Sequence, residues 1–322
     1  MSKWLFVLLF LPLSYVQAQG IAEDYPVKPV ILVIPGEGAV SVDGEFRLFT
    51  QSILETTGKQ FVIESRAGAA GVIGTAYVAK AAPDGYTILG ANSSFTLSPG
   101  LHPNIPYDNV RDFAPIILLD KRVFVLVVHP STGFTSLAQY LAYARANPGK
   151  LNYGTNGPGA STHMPGALLH QMTNTQVTFV HYKASSQRLV DLMAGRIQAA
   201  TSTIITNMAN FKAGKLRPLG VTGSQRVSIW PDMPTIAEQG VPGYEVTSWI
   251  GLLAPAKTPT AMIAKLNALF IGAGKDPKVT KKIEADGTQI MNSTPEQFRD
   301  LIVTETVRWK KVIQDMGIRP DD

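Results

Sequence analysis

Two glycine-containing loops carry the residue types most able to do chemistry in this 322-residue chain: PGEGAVSVDG over 35–44 and GTNGPGASTH over 154–163. Each follows an apolar run and precedes a helical pattern. Glycine lets backbone N–H groups come close to an anion, and the N-terminus of the next helix adds a favourable dipole. Either loop therefore suits a carboxylate. Enzymatic readings of the second loop are weaker. GTNGPGAS follows the phosphate-loop spacing until Ala160, which stands where a lysine should reach the terminal phosphates. Ser161 and His163 have the types of a nucleophile and its base, yet GASTH ends on His163 where GxSxG needs glycine. Nor does the sequence supply a third group to orient the imidazole. Ser161, Thr162 and His163 are better read as neutral hydrogen-bond donors at a helix start.

Other chemistries are narrowed by composition. The absence of cysteine removes disulfides, thiolate metal sites and cysteine nucleophiles together. The five histidines, at 102, 129, 163, 170 and 181, form neither HExxH nor an i, i+4 pair, so no metal and no cofactor is expected. The formal charge of +5 is spread along the chain without a basic patch, which argues against nucleic acid.

The first 20 residues, MSKWLFVLLFLPLSYVQAQG, combine one basic residue, an apolar stretch and small residues, the pattern of a secretory leader over 1–18 with cleavage after Ala18. Trp4 to Leu13 is shorter than the roughly 20 apolar residues that span a bilayer. No later segment is apolar for long enough to anchor the chain, so the mature protein is expected in the periplasm without membrane insertion.

The elements that position the two loops alternate strand and helix, the pattern of an α/β protein with largely parallel sheets. With 45% hydrophobic and 16% charged residues, the chain can bury a core on the scale of two domains. Expected strands are 30–34, 61–64, 86–90, 124–128, 151–153, 177–182, 197–201, 216–221 and 248–254. Helices are expected from Phe46 on, stopping at Gly58, over 71–81 and 137–146, over 187–194 with Leu189, Leu192 and Met193 inward, and from a capped start at Thr294. After residue 254 the rest is expected to be helical. The chain is expected to leave a first lobe near 124 and return near 250, giving lobe 1 as 25–124 with 250–322, lobe 2 as 125–249, and a hinge of two crossings. Trp249, on the returning strand, is a candidate ligand contact. Lys121 and Arg122 are expected as surface charges.

Six blocks then resemble, in order, the periplasmic solute-binding proteins of tripartite tricarboxylate transporters, the Bug family. They are FVIESRAGAAGVIGTAYVAKAAPDGYT (61–87), NPGKLNYG (147–154), FKAGKLRPLGVT (211–222), PDMPTIAEQGVPGYE (231–245), WIGLLAPAKTP (249–259) and STPEQFRDLI (293–302). The resemblance spans about Tyr25 to Ile318. It implies a two-lobed periplasmic binding protein fold of the type II-like crossover kind, with the ligand in the inter-lobe cleft. The function it implies is a monomeric receptor that closes on a small organic acid (an aliphatic di- or tricarboxylate, an amino acid or an aromatic acid) and delivers it to a membrane permease. Two alternatives stay open: a receptor docking on a sensor kinase, and a periplasmic hydrolase using Ser161 and His163.

By the same resemblance the ligand is pinched between the first loop (Gly36, Glu37, Gly38, Ala39, Val40, Ser41) and the second (Asn156, Gly157, Gly159, Ser161, Thr162, His163). Further contacts are implied from Asn92, Ser93 and Ser94, from Lys183, Ala184 and Ser185, and from Thr201, Ser202 and Thr203. The first loop departs from the family's usual PFPPGGGTD. Glu37 brings a carboxylate into an anion-binding loop, where it either points to solvent or receives an amine or amide, and Val40 replaces a glycine.

Overall fold

A computed structural model describes residues 24–35, 40–285 and 287–320. The expected leader and Gly36, Glu37, Gly38 and Ala39 lie outside the described residues, and only the backbone is described at Val40 and Ser41.

One sheet has six strands in the order β11-β4-β10-β3-β1-β2: β1 (Val30–Ile34), β2 (Phe61–Ser65), β3 (Thr87–Asn92), β4 (Phe113–Val123), β10 (Thr247–Pro255) and β11 (Thr288–Ile290). β1 pairs in parallel with β2 and β3, while β10 runs antiparallel to β3 and β4. The run VILVI lacks polar alternation because both of its faces are covered. Val30 and Leu32 pack with Phe46, Phe49 and Phe270 on one side, and Val33 packs with Val78, Leu89 and Phe113 on the other. The helices on this sheet are α1 (Val40–Thr57), α2 (Val72–Ala79), α3 (Ser94–Leu101), α8 (Thr260–Gly274) and α9 (Pro277–Glu284). α1 stops at Gly58, whose φ of +70° closes a bond from its N–H to Leu54 O.

The second sheet has five strands in the order β7-β6-β8-β5-β9: β5 (Val125–Val128), β6 (Asn152–Thr155), β7 (Thr178–His181), β8 (Ala199–Ser202) and β9 (Arg217–Val221). Its helices are α4 (Leu137–Ala146), α5 (Met164–Thr173), α6 (Ser185–Met193) and α7 (Ile204–Lys212).

Only Phe124 separates β4 of the first sheet from β5 of the second. Thr222 ties this crossing to the returning one: its N–H donates to Phe124 O, its Oγ1 accepts from Phe124 N–H, and its carbonyl accepts from Val246 N–H. The last helix, α10 (Pro295–Asp315), starts with the expected capping box of Thr294 and Gln297. Its early residues Phe298 and Ile302 pack with Trp249 and Leu253, and its late residues Trp309, Val312 and Ile313 pack with Leu126, Tyr140 and Leu168 of the second sheet's core. A single helix thus buries its two halves against the two sheets.

Three expectations change. The segment after residue 255 is not wholly helical, because β11 adds an edge strand to β4. Met193 is turned outward and Arg188 is buried instead, since Arg188 and Leu192, four residues apart, share the inner face of α6. Lys121 and Arg122 are largely covered at the end of β4, where Arg122 pairs with Glu45 and Lys121 lies 3.9 Å from Glu245.

Candidate functional site

Ligands of open α/β sheets lie beyond the C-terminal ends of the parallel strands, and the polar residues of both lobes gather there. In the first lobe, β3 ends on Asn92, whose Oδ1 accepts from Ser94 N–H at 2.9 Å, an Asx turn that starts α3. Ser93 is held from the other side, its N–H donating to Trp249 O at 3.1 Å and its Oγ lying 3.3 Å from Ser248 Oγ. A cavity of about 430 Å³ opens beside them, lined by Pro35, Gly71, Asn92, Ser94 and Ser98. α2 fits closely over this end of β1, because a Cβ on Gly74 would come within 2.8 Å of Pro35 Cα.

In the second lobe, the loop after β6 folds on itself. Asn156 N–H donates to Thr162 Oγ1 at 2.9 Å, Ala160 N–H to Gly157 O at 3.2 Å, and Gly159 N–H to His163 Nδ1 at 3.0 Å. Gly157 and Gly159 take φ of +122° and +68°, which favour glycine. Thr201 Oγ1, from the end of β8, donates to Thr162 O at 2.8 Å and fixes the loop to the sheet.

The Asn156 side chain is the meeting point. Its Nδ2 donates to Ser185 Oγ at 2.7 Å at the start of α6, and its Oδ1 accepts from Arg188 Nε at 2.9 Å. Arg188 Nη1 donates to Thr201 O at 2.7 Å. Burial lowers the pKa of this guanidinium, with Tyr153 and Tyr182 acting in the opposite sense, but an arginine remains a cation.

Of the expected residues, Asn156, Gly157, Gly159, Thr162, Ser185 and Thr201 therefore form one connected group. Asn92, Ser93 and Ser94 form a second on the first lobe. Ser202 lies at the edge of the former, its Oγ accepting from Asn207 Nδ2 at 2.6 Å, and Thr203 starts α7 with its hydroxyl against Thr206. Lys183 and Ala184 are exposed just before α6. The two lobes touch where the second loop meets α3: a Cβ on Gly159 would fall 2.4 Å from Leu101 Cδ1.

Trp249 does not join either group. Its ring is 1% exposed, edge-on to Phe298 at 5.3 Å, and its Nε1 donates to Glu305, so it is core rather than a cleft contact. Ser161 is exposed and makes no hydrogen bond to His163, whose ring is buried edge-on to Phe179 at 4.3 Å with Nδ1 taken by Gly159. That geometry does not assemble a nucleophile and base. Among the described residues no three His, Asp or Glu side chains are placed to hold a metal ion, and no helix is long and apolar enough to cross a membrane.

Arg188 is the site residue that sequence reasoning passed over. The one available signal was its place in the first turn of the helix that follows the candidate segment 183–185.

Comparison with known proteins is consistent along the whole chain. The profile of the tripartite tricarboxylate transporter family receptor matches residues 46–318. The protein BugT of Bordetella pertussis is 31% identical over 322 residues, covering 99% of either chain. A Rhodopseudomonas palustris protein solved with adipate is 34% identical, covering 92% of this chain and 99% of that one with a TM-score of 0.74. The MatC protein of the same organism, solved with bound malate, is 28% identical, covering 90% and 100% with a TM-score of 0.72. The fold is the two-lobed one of solved periplasmic binding proteins.

Proposed function

Because this chain belongs to the receptor family of tripartite tricarboxylate transporters, we propose that it is a periplasmic receptor that takes a small organic carboxylate between its lobes and delivers it to a membrane permease. The observation that carries this reading is the placement of two polar groups, one per lobe, at the C-terminal ends of parallel strands: Asn92 with Ser94, and Asn156 with Thr162 and Ser185. Both are built from amides, hydroxyls and helix starts, which donate hydrogen bonds to a carboxylate without needing a reactive group. The relatives solved with adipate and with malate hold acids of this chemistry, and the leader expected over 1–18 would bring the mature chain to the compartment where such receptors work.

The test is a thermal-shift and calorimetric screen of the mature chain, beginning at Gln19, against aliphatic di- and tricarboxylates, amino acids and aromatic acids. A ligand at a hundred times its Kd adds about 2.7 kcal/mol to native stability, which moves Tm by several degrees. A clear shift with one class of acid is expected. No shift with any acid, from a chain that unfolds cooperatively, would count against the receptor reading.

A further inference from the structure

Among the described residues, Arg188 is a charge without a counter-charge. The residue is 7% exposed. Its two hydrogen bonds go to neutral oxygens, the amide Oδ1 of Asn156 and the main-chain carbonyl of Thr201. The side chains acting on it electrostatically are Tyr153 and Tyr182, and no carboxylate among the described residues is within ion-pair reach. A guanidinium carries five N–H donors in a rigid fork, so two are used and three have no acceptor among the described residues.

Taking a cation out of water costs several kcal/mol unless an anion accompanies it. A purely structural link between the β6 loop and β8 could be made by a neutral side chain at far lower cost. The position of this one adds a second point. Arg188 sits in the first turn of the nine-residue α6, so the N–H groups at the start of that helix and the unused guanidinium donors lie at one end of the same element. Asn156, clamped between Ser185 and Arg188, ties that end to the loop that forms the second lobe's half of the site.

We propose that Arg188 is the charged anchor of the cleft and pairs with one carboxylate of the ligand, so that this receptor selects diacids over acids that present a neutral group at that end. The assignment rests on the receptor reading above and deepens it. The Asn156 side-chain oxygen takes the Nε–H and the Thr201 carbonyl takes one Nη1–H, which leaves both Nη2–H donors and the second Nη1–H for a carboxylate, a planar pairing for which arginine is suited and lysine is not.

The experiment is calorimetry with adipate and malate, and with the monomethyl ester of each, on the mature wild-type chain and on Arg188→Met and Arg188→Lys, with Tm checked for every protein. Wild type is expected to prefer at least one diacid over its half-ester by about 30-fold or more, since removing one partner of a buried charge pair costs upwards of 2 kcal/mol. In Arg188→Met that ratio should fall towards one, whatever absolute affinity is lost by releasing Asn156. Arg188→Lys should retain a reduced preference. If Arg188 only braces the loop, diacid and half-ester weaken together and the ratio stays, which overturns the assignment but not the receptor. A wild type that binds diacid and half-ester equally overturns it too, whether or not the variants fold. A folded wild type that binds none of the four probes, nor any acid of the wider screen, overturns the receptor reading and the assignment with it.

Discussion

The indole N–H of Trp249 donates to Oε2 of Glu305 at 2.8 Å, and the same oxygen accepts from Thr96 Oγ1 at 3.0 Å. One buried carboxylate thus joins the returning strand β10, the helix α3 that touches the second lobe, and the helix α10 that packs on both sheets. Burial raises the Glu305 pKa above its ordinary value of 4.5, with the Trp249 and Thr96 bonds and the charges of Arg308 and Lys121 opposing. A carboxyl whose folded pKa is raised holds its proton longer in the native state. Its contribution to stability therefore falls as pH rises from the ordinary carboxylate range through the raised value.

Glu305→Gln should consequently gain on the wild type as pH rises from 4 to 8 in urea titrations, because the amide keeps an acceptor for Trp249 and cannot ionise. Glu305→Ala should lose about 1–3 kcal/mol at low pH, since it strands the indole N–H in the core, while Thr96 Oγ1 still has Ser93 O at 3.0 Å. A constant difference between Gln variant and wild type across that range would show that Glu305 does not titrate abnormally.

The crossing at Phe124 is held by Thr222, whose side chain is fully buried and whose Oγ1 accepts Phe124 N–H at 2.9 Å. Thr222→Val keeps the shape and leaves that N–H without an acceptor. The expected cost is about 1–3 kcal/mol in unfolding free energy, while Thr222→Ser should cost less than half as much. Equal losses for both would mean that the methyl, not the hydroxyl, secures the crossing.

What the sequence made legible was whatever is decided locally. VILVI over 30–34, the helix over 137–146 and the capping box at Thr294 depend on neighbours within a few residues, and each is found as expected. The family and the two-lobed fold were legible because six blocks in order carry more information than any one loop. β4 was not, because FAPIILLDKRV contains a proline and three consecutive charged residues, and its pairing comes from β10 and β11, more than a hundred residues on. Trp249 looked available for the cleft because its cover, Glu305, lies 56 residues away on α10. Arg188 escaped for the opposite reason: a charged residue on a short helix defaults to solvent, and only the Asn156 and Thr201 carbonyls show that it turns in.

Gly159 combines a φ of +68° with the 2.4 Å approach of Leu101 Cδ1 to the position of a Cβ. Gly133 has a similar φ of +73° and open space around it, so Gly133→Ala isolates the backbone penalty, about 1 kcal/mol. Gly159→Ala should cost more than that control by the price of overpacking, about 1–3 kcal/mol. Adding Leu101→Ala should recover part of the excess, a coupling that a double-mutant cycle measures directly. If Gly159→Ala and Gly133→Ala cost the same, the contact between the second loop and α3 carries no energy.

His170 lies in the core of the second lobe, Nε2 2.9 Å from the Tyr140 hydroxyl and Nδ1 2.7 Å from Thr175 Oγ1. Burial pushes its pKa down to about 4. The unfolded chain therefore takes up a proton near the ordinary value of 6.5 while the native state stays neutral to about 4. Between those values the unfolded state binds more protons. Stability is thus lost as pH falls through that window and is independent of this group above it. The whole contribution is about 3 kcal/mol at one pKa unit per 1.36 kcal/mol. His170→Gln should be less stable than wild type at pH 7, because one amide cannot reproduce both ring contacts, yet its decline from pH 7 to pH 4 should be shallower. Urea titrations at both pH values decide the matter: parallel declines would place the acid sensitivity elsewhere, while a shallower one assigns it to the imidazole between Tyr140 and Thr175.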